Sequence, residues 1–205
     1  MLGGAGDDTF YGDAGSDTLT GGGGDDFLEG GLGADSIDGG SGFDTASYFE
    51  SPFAVRVDLL AGFANDSQTQ DSLTGIEDVV GSRFDDLLIG SALSNVIVGG
   101  GGADQISGGG GDDVLRGERG NDTLSGGAGN DIFLFSQGDG ADVVQDFAAG
   151  DTLQIYGYTA AQSLTQLGAD VVVQLSASDA ITLRNVTLAT VQASLGFSAV
   201  FRGGT

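Results

Sequence analysis

The sequence predicts an all-β fold in which short parallel strands wind into a flattened solenoid. Two observations favour this fold class: a nine-residue unit recurs in phase along two stretches of the chain, and one position of that unit is apolar in every copy. A third is that glycine, 40 of the 205 residues, is concentrated in the first half of each unit. Flexible glycine-rich linkers do not keep such a register, so we interpret both stretches as folded repeats.

The repeats form two arrays that differ in phase. Units of the first array begin at Gly3, Gly12, Gly21, Gly30 and Gly39, and units of the second begin at Gly81, Gly90, Gly99, Gly108, Gly117 and Gly126. The interval from Gly39 to Gly81 is not a multiple of nine, so the phase is lost and reset between the arrays. A degenerate unit that begins at Gln137 follows after a slip of two residues.

Each unit follows the pattern G-G-x-G-x-D-x-U-x, in which U is apolar. The apolar residues in this eighth place are Phe10, Leu19, Leu28, Ile37, Ala46, Leu88, Ile97, Ile106, Leu115, Leu124 and Phe133. With this pattern the chain resembles the RTX (repeats-in-toxin), or hemolysin-type, calcium-binding repeat family over residues 3–47 and 81–134. The resemblance implies a parallel β-roll, which is a right-handed β-helix solenoid, with several bound Ca²⁺ ions.

The spacing within a unit has a physical explanation. Glycines in the first, second and fourth places allow a tight turn that aims several carbonyl groups at one point. The last three residues then form a short strand whose middle side chain faces the core, because side chains alternate along a strand. Two units make one coil, so turns on the same edge are 18 residues apart and stack at about 4.8 Å.

Sixth-place carboxylates of stacked turns are therefore expected to converge, as for Asp8 with Asp26 or Asp104 with Asp122. A cation between the turns would gain carboxylate and carbonyl oxygens, which suits Ca²⁺ better than Mg²⁺ or Zn²⁺. The predicted side-chain ligands are Asp8, Asp17, Asp26, Asp35, Asp44, Asp86, Asp104, Asp113, Asp122, Asp131 and Asp142. The predicted carbonyl ligands are Gly4, Gly6, Gly22, Gly24, Gly31, Gly33, Gly40, Gly42, Gly100, Gly102, Gly109, Gly111, Gly127 and Gly129. Asn95 and the non-glycine turn before it predict a weaker site, and the fifth-place acids are expected to be solvated.

The composition excludes several classes of function. The formal net charge is −24, which disfavours nucleic acid and anionic membranes as partners. The chain has no histidine or cysteine, so it cannot build a zincin site, a Ser-His triad or a Cys-His pair. A glycosidase that uses only carboxylates stays chemically open, but we expect no catalytic residues here. No transmembrane segment is expected, and the N-terminus "MLGGAGDD" has no secretory signal pattern.

The remaining segments predict four regions: a first repeat block at residues 1–47, a connector at 48–80, a second block at 81–134 and a C-terminal segment at 135–205. Ala46, small in the core position, indicates the end of the first roll. The connector contains one candidate strand, Ala54–Leu59, and is expected to pack between the rolls. The C-terminal segment predicts strands at Asp142–Phe147, Asp151–Tyr156, Asp170–Leu175 and Ala180–Val186, with helices at Thr159–Leu167 and Leu188–Leu195. Asp139, Asp142, Asp146 and Asp151 either hold one further ion or cap turns.

Two functions follow from these features. The family resemblance implies a calcium-binding module that folds on Ca²⁺ outside a bacterium, after type I secretion as the C-terminal part of a larger secreted protein. That protein's catalytic domain, if it has one, would lie upstream. The alternative is an extracellular polysaccharide-binding or adhesive module of a glycan-acting enzyme, with Tyr11, Tyr48 and Phe43 stacking on sugars.

Overall fold

A computed structural model describes residues 1–158 and 163–194, and it is nearly all β. In chain order the first strands are β1 (Leu2–Ala5), β2 (Thr9–Tyr11), β3 (Thr18–Gly23), β4 (Phe27–Glu29), β5 (Ser36–Ser41), β6 (Thr45–Ser47), β7 (Arg56–Asp58), β8 (Phe63–Asn65), β9 (Gln70–Thr74) and β10 (Asp78–Val80). Then follow β11 (Leu87–Ile89), β12 (Val96–Gly101), β13 (Gln105–Gly110), β14 (Val114–Arg119), β15 (Thr123–Ala128), β16 (Ile132–Phe135), β17 (Ala141–Val144), β18 (Thr152–Ile155), β19 (Ser163–Leu167), β20 (Asp170–Gln174) and β21 (Ala180–Leu183), with the helix α1 (Leu188–Ser194) after them. The predicted all-β solenoid of stacked parallel coils is confirmed.

The strands form two sheets, one on each face of the solenoid. A 13-stranded sheet has the order β1-β3-β5-β9-β8-β7-β11-β13-β15-β17-β21-β20-β19, and an eight-stranded sheet has the order β18-β16-β14-β12-β10-β6-β4-β2. Successive strands of each array alternate between the sheets, so the chain makes one coil for every two units. Within the arrays the pairing is parallel.

The register matches the predicted 18-residue coil. Leu19 is paired with Ile37 and Ile106 with Leu124. After the second array the slip of two residues becomes visible, because Leu124 is paired with Val144. The eighth-place residues from Leu19 onward are buried and line a narrow core between the sheets, whereas Phe10, in the first coil, is partly buried.

The connector is part of the stack. The strand β9 pairs with β5, and β10 pairs with β6 so that Ala46 lies beside Val79. The expected end of the first roll at Ala46 is therefore wrong: the apolar Val79 fills the next core level. The predicted strand at Ala54–Leu59 is observed as the shorter β7, which pairs with β11. Antiparallel β8 lies between β7 and β9, so both sheets continue from one array to the other.

The C-terminal segment closes one end of the stack with the antiparallel strands β19, β20 and β21. All four strands predicted here are present and shorter than predicted, with β17 beginning one residue early at Ala141, and α1 confirms the second predicted helix over Leu188–Ser194. The helix predicted at Thr159–Leu167 is wrong over its last five residues, which form β19. Gly168, with φ of 65°, turns this segment back onto β20, so tertiary pairing overrides its helical pattern. Residues 159–162 and Leu195 lie outside the described part of the chain.

In the described part of the chain, no helix has the length and apolar character needed to cross a membrane.

Candidate metal centres

The sixth-place side chains form a ladder along each edge of the solenoid. In each array, one carboxylate oxygen, Oδ1, accepts a hydrogen bond from the backbone N–H of the sixth-place residue one coil earlier. The distance is 2.8 Å from Asp26 to Asp44 and 2.9 Å from Asp104 to Asp122. From Asp26 onward these side chains are buried. The local sequence explains this placement, because each carboxylate directly follows a glycine turn and precedes a core strand.

The second carboxylate oxygen, Oδ2, has a different environment. In the described residues, seven buried Oδ2 atoms have no hydrogen-bond partner: those of Asp17, Asp26, Asp35, Asp44, Asp104, Asp113 and Asp122. A buried carboxylate without a proton donor is costly unless a cation compensates it. Oxygen ligands without competing donors are what a hard cation such as Ca²⁺ requires, so these residues fit that ion.

Burial also changes the proton affinity of these groups. Loss of solvent is the main cause that raises the pKa of Asp104 to about 8, and repulsion from Asp122 and Asp86 adds to it. Burial likewise raises the pKa of Asp113 and of Asp122 to about 6. Without a cation, burial therefore shifts these three carboxyl groups towards their protonated forms.

The glycine turns of successive coils stack closely, so that turn carbonyl groups lie against the glycines of the next coil. A Cβ atom on Gly40 would overlap the carbonyl oxygen of Gly22, and one on Gly42 would overlap that of Gly24. Second-place and fourth-place carbonyls thus point towards the next coil on the same edge. Of the predicted carbonyl ligands, all but Gly4 have positive φ angles.

In residues 1–158 and 163–194, no three acidic side chains gather at one point. A cation between two coils would therefore depend on backbone carbonyls as well as on one or two carboxylates. This ligand set agrees with the glycine-rich turns, which supply the carbonyls.

Three sixth-place side chains have their oxygens satisfied within the protein. Oδ2 of Asp8 accepts from the N–H of Gly4 at 3.1 Å. Asp86 accepts from the N–H of Ser82 at 2.5 Å and from its hydroxyl at 2.8 Å. Asn95 accepts from the N–H of Ser91 at 2.7 Å and donates its amide to a backbone carbonyl. The predicted ligands Asp8 and Asp86 thus have surroundings unlike those of the seven aspartates whose Oδ2 has no hydrogen-bond partner.

The last two predicted ligands lie where the second array meets the C-terminal segment. Asp131 is buried, and its Oδ1 accepts from the N–H of Asp113 at 3.0 Å. Asp142 continues the ladder by accepting from the N–H of Asp122 at 3.0 Å, and burial raises its pKa to about 7.

Two ladder residues in the connector were not predicted. Oδ1 of Asp71 accepts from the N–H of Asp35 at 2.8 Å, and Oε2 of Glu77 accepts from the N–H of Asp44 at 3.1 Å. A signal for both exists in the sequence. "DSLTG" and "EDVVG" keep the acidic, apolar and glycine positions of a repeat unit although the preceding turn does not match.

The fifth-place acids are exposed, in agreement with the expectation that they are solvated, and they also form a second ladder. Oδ1 of Asp25 accepts from the N–H of Phe43 at 2.8 Å, and Oδ1 of Asp85 accepts from the N–H of Ala103 at 2.7 Å. These bonds connect each turn to the following coil. The fifth place is thus structural, because it ties successive turns together.

The other acids at the start of the C-terminal segment cap turns. Asp139 accepts from the N–H of Ser136 at 2.5 Å, and Asp151 accepts from the N–H of Ala148 at 2.7 Å. Asp146 accepts from the N–H groups of Gly126 and Gly127, both at 3.0 Å. Of the two roles left open for these residues, the contacts favour capping for Asp139 and Asp146. Asp151 caps its turn and also continues the ladder, because its Oδ1 accepts from the N–H of Asp131 at 3.1 Å.

Comparisons with known proteins agree with this geometry. The family model of the RTX calcium-binding nonapeptide repeat (4 copies) matches residues 1–28, 11–46, 73–106, 80–115, 89–124 and 107–141. Together these overlapping matches cover more than half of the 205 residues. None of the curated proteins compared matches the chain.

Two solved structures are similar to parts of the chain. One is the extracellular lipase LipA from Serratia marcescens, with a TM-score of 0.43 and 21% identity, over 92% of this chain and 36% of that one. The other is the AlgE6R3 subunit of the Azotobacter vinelandii mannuronan C5-epimerase, with a TM-score of 0.41 and 27% identity, over 60% of this chain and 88% of that one. The chain therefore spans little more than a third of the lipase. On the evidence of its repeats, its stacked coils and the family match, the chain belongs to the RTX calcium-binding nonapeptide repeat family.

Proposed function

We propose that this module binds several Ca²⁺ ions between stacked turns and folds when it binds them. The observation that carries the proposal is the set of buried Oδ2 atoms without hydrogen-bond partners. The proposed side-chain ligands are the residues that carry these atoms, together with Asp131 of the same ladder: Asp17, Asp26, Asp35, Asp44, Asp104, Asp113, Asp122 and Asp131. Carbonyl oxygens of the second and fourth turn places would complete the coordination.

The electrostatics support coupling between binding and folding. The chain has thirty acidic and only six basic residues, so repulsion between carboxylates disfavours the compact state. The ladder adds to this cost because it buries part of the negative charge. A cation that binds only the folded turns stabilises them by mass action. Extracellular calcium modules bind at about 10⁻⁴–10⁻³ M, so such sites would be empty in a cytosol and filled outside a cell.

A calcium titration tests this function. Far-UV circular dichroism of the chelated chain should show little β-structure, and the β signal should appear as Ca²⁺ reaches the millimolar range. The number of bound ions is then measured by equilibrium dialysis. A β signal that is unchanged in excess chelator, or a chain that retains no Ca²⁺ on dialysis, would contradict the proposal.

The proposal extends to export. The module is the C-terminal part of a larger secreted bacterial protein that leaves by a type I secretion machinery, and any catalytic domain lies upstream of it. We also retain residues 135–205 as the capping and export segment. A reporter fused in front of the chain should appear in the medium only when the host carries a type I apparatus. Export without the apparatus, or retention with it, would contradict this route.

A second candidate function is polysaccharide binding, and one cleft favours it. The cleft has a volume of about 300 Å³ and is lined by Tyr11, Glu29, Leu32 and Glu50 among others. Tyr11 is exposed and could stack on a sugar ring, whereas Tyr48 is buried and its hydroxyl donates to Asp71. The expected stacking role of Tyr48 is therefore wrong. Because the cleft is acidic, we expect calcium-loaded protein to be retained on a neutral glucan column more strongly than on alginate, and Tyr11→Ala to reduce that retention.

A further inference from the structure

The turns of the solenoid adopt two backbone conformations that differ in the second place. In one conformation the second-place residue has a positive φ angle. In the other it does not, and its N–H points at the sixth-place side chain of the same turn. We call these open and closed turns.

Every turn whose Oδ2 lacks a partner is open. The second-place φ angles of these turns are 66° at Asp13, 117° at Gly22, 90° at Gly31, 106° at Gly40, 107° at Gly100, 108° at Gly109 and 67° at Glu118. They belong, in the same order, to Asp17, Asp26, Asp35, Asp44, Asp104, Asp113 and Asp122. The turn of Asp131 is also open, with 97° at Gly127, and there the N–H of Gly127 is held by Asp146 instead.

The closed turns show the opposite arrangement. Gly4, Ser82 and Ser91 have no positive φ, and each donates its N–H to the sixth-place side chain four residues later. In the two serine turns the hydroxyl also contacts that side chain, at 2.8 Å from Asp86 and 3.2 Å from Asn95. In these turns the protein's own N–H and O–H groups take the place that a cation would have beside the side-chain oxygen.

Two open turns show that this conformation is imposed by the fold. Asp13 and Glu118 adopt left-handed backbone conformations although neither is glycine. Such conformations are uncommon for residues with a side chain. The stacking of the coils therefore holds the second place open even where the local sequence disfavours it.

We propose that the backbone conformation of the second place determines which turns bind calcium, and that Ser82 and Ser91, which hold the closed conformation, exclude the ion from their turns. This inference rests on the proposed calcium binding. Both serines lie in the first coil of the second array, directly after the connector. On the connector side of the same junction, the carboxylate of Asp71 is also satisfied by protein donors, the Asp35 N–H and the Tyr48 hydroxyl. Calcium would accordingly bind in two groups of sites separated by a metal-free joint.

A pair of matched substitutions tests whether open turns bind calcium and closed turns do not. Asp104→Asn changes an open turn and Asp86→Asn changes a closed turn, both by the same isosteric exchange. The ions bound per chain are counted by equilibrium dialysis in saturating Ca²⁺, with circular dichroism to verify the β-fold. We expect Asp104→Asn to lose at least one ion and Asp86→Asn to lose none. Equal counts for the two variants, whether both reduced or both unchanged, would overturn the inference.

A gain of binding gives an independent test. The double variant Ser91→Gly/Asn95→Asp restores the second-place glycine and the sixth-place aspartate of the repeat in a closed turn, and it should bind one ion more than the parent. Ser41→Gly is the control, because Ser41 lies in the third place of an open turn, and its count should not change. An unchanged count in a folded double variant would overturn the inference. Failure of the parent chain itself to bind Ca²⁺ would instead contradict the proposed function.

Discussion

The hydroxyl of Tyr48 donates a hydrogen bond to Oδ2 of Asp71 at 3.1 Å, and both residues are buried at the junction of the two arrays. Asp71 is one of the two ladder residues that the connector contributes. Its second oxygen faces a phenol, whereas the corresponding oxygens of the open turns have no donor. The tyrosine therefore satisfies this carboxylate without a metal ion.

Removal of that hydroxyl should destabilise the junction. Tyr48→Phe leaves a buried carboxylate oxygen without a donor, which costs about 1–3 kcal/mol. Urea unfolding of the calcium-loaded protein measures the loss. Tyr11→Phe is the control, because Tyr11 is exposed, and its free energy of unfolding should stay within about 0.5 kcal/mol of the parent. Equal stabilities of the Tyr48 and Tyr11 variants would show that the bond contributes nothing.

The calcium-free fold should become less stable as the pH rises. Burial raises the pKa of Asp104 to about 8 and those of Asp113 and Asp122 to about 6, above the ordinary value of 3.8. The folded state then binds more protons than the unfolded state between pH 4 and about 8, so its stability falls as these protons are lost. Metal-stripped protein in calcium-free buffer should show more β-structure by circular dichroism at pH 5 than at pH 8. The reverse order would contradict the desolvation of the ladder.

The thin core should be sensitive to truncation. Leu115→Ala removes a fully buried side chain, and such changes cost about 2–5 kcal/mol. Leu93→Ala, at a residue that is 64% exposed, is the control and should cost little. Thermal unfolding in saturating Ca²⁺ compares the two. A similar melting temperature for both variants would mean that the core does not contribute to stability.

The turns should tolerate a Cβ atom only where the next coil leaves room. Gly109 and Gly168 both have positive φ, at 108° and 65°. A Cβ on Gly109 would overlap the carbonyl oxygen of Ser91, whereas one on Gly168 has nothing within 4 Å. Gly168→Ala should cost about 1 kcal/mol from backbone strain alone, and Gly109→Ala should cost clearly more. Denaturant midpoints in Ca²⁺ measure both, and a smaller cost at Gly109 would be inconsistent with the stacking described.

Most of the fold could be predicted from the repeat because the eighth place of each unit supplies the core side chain of one strand. A regular apolar eighth place fixes which side chains face inwards, and the coil length follows. Residues 163–167 could not be predicted in the same way. Their pattern suited a helix, and the strand depends on pairing with a segment that Gly168 brings alongside.

The candidate site was less predictable. The positions of the sixth-place aspartates follow from the repeat, but whether an oxygen stays free depends on backbone φ four residues earlier. Asp86 occupies the sixth place of its unit as Asp104 does, yet Ser82, which stands where the pattern has a glycine, satisfies its carboxylate. Asp71 and Glu77 escaped prediction because their turns are irregular, although the strands that follow keep the repeat.

The hairpin of β7 and β8 enlarges only one of the two sheets. Between β5 and β11 the larger sheet takes four steps, whereas the smaller sheet takes two steps between β6 and β12. At about 4.8 Å a step, one face is longer by roughly 10 Å across the junction. If both sheets keep this spacing, the stack has to bend towards the smaller sheet at the junction.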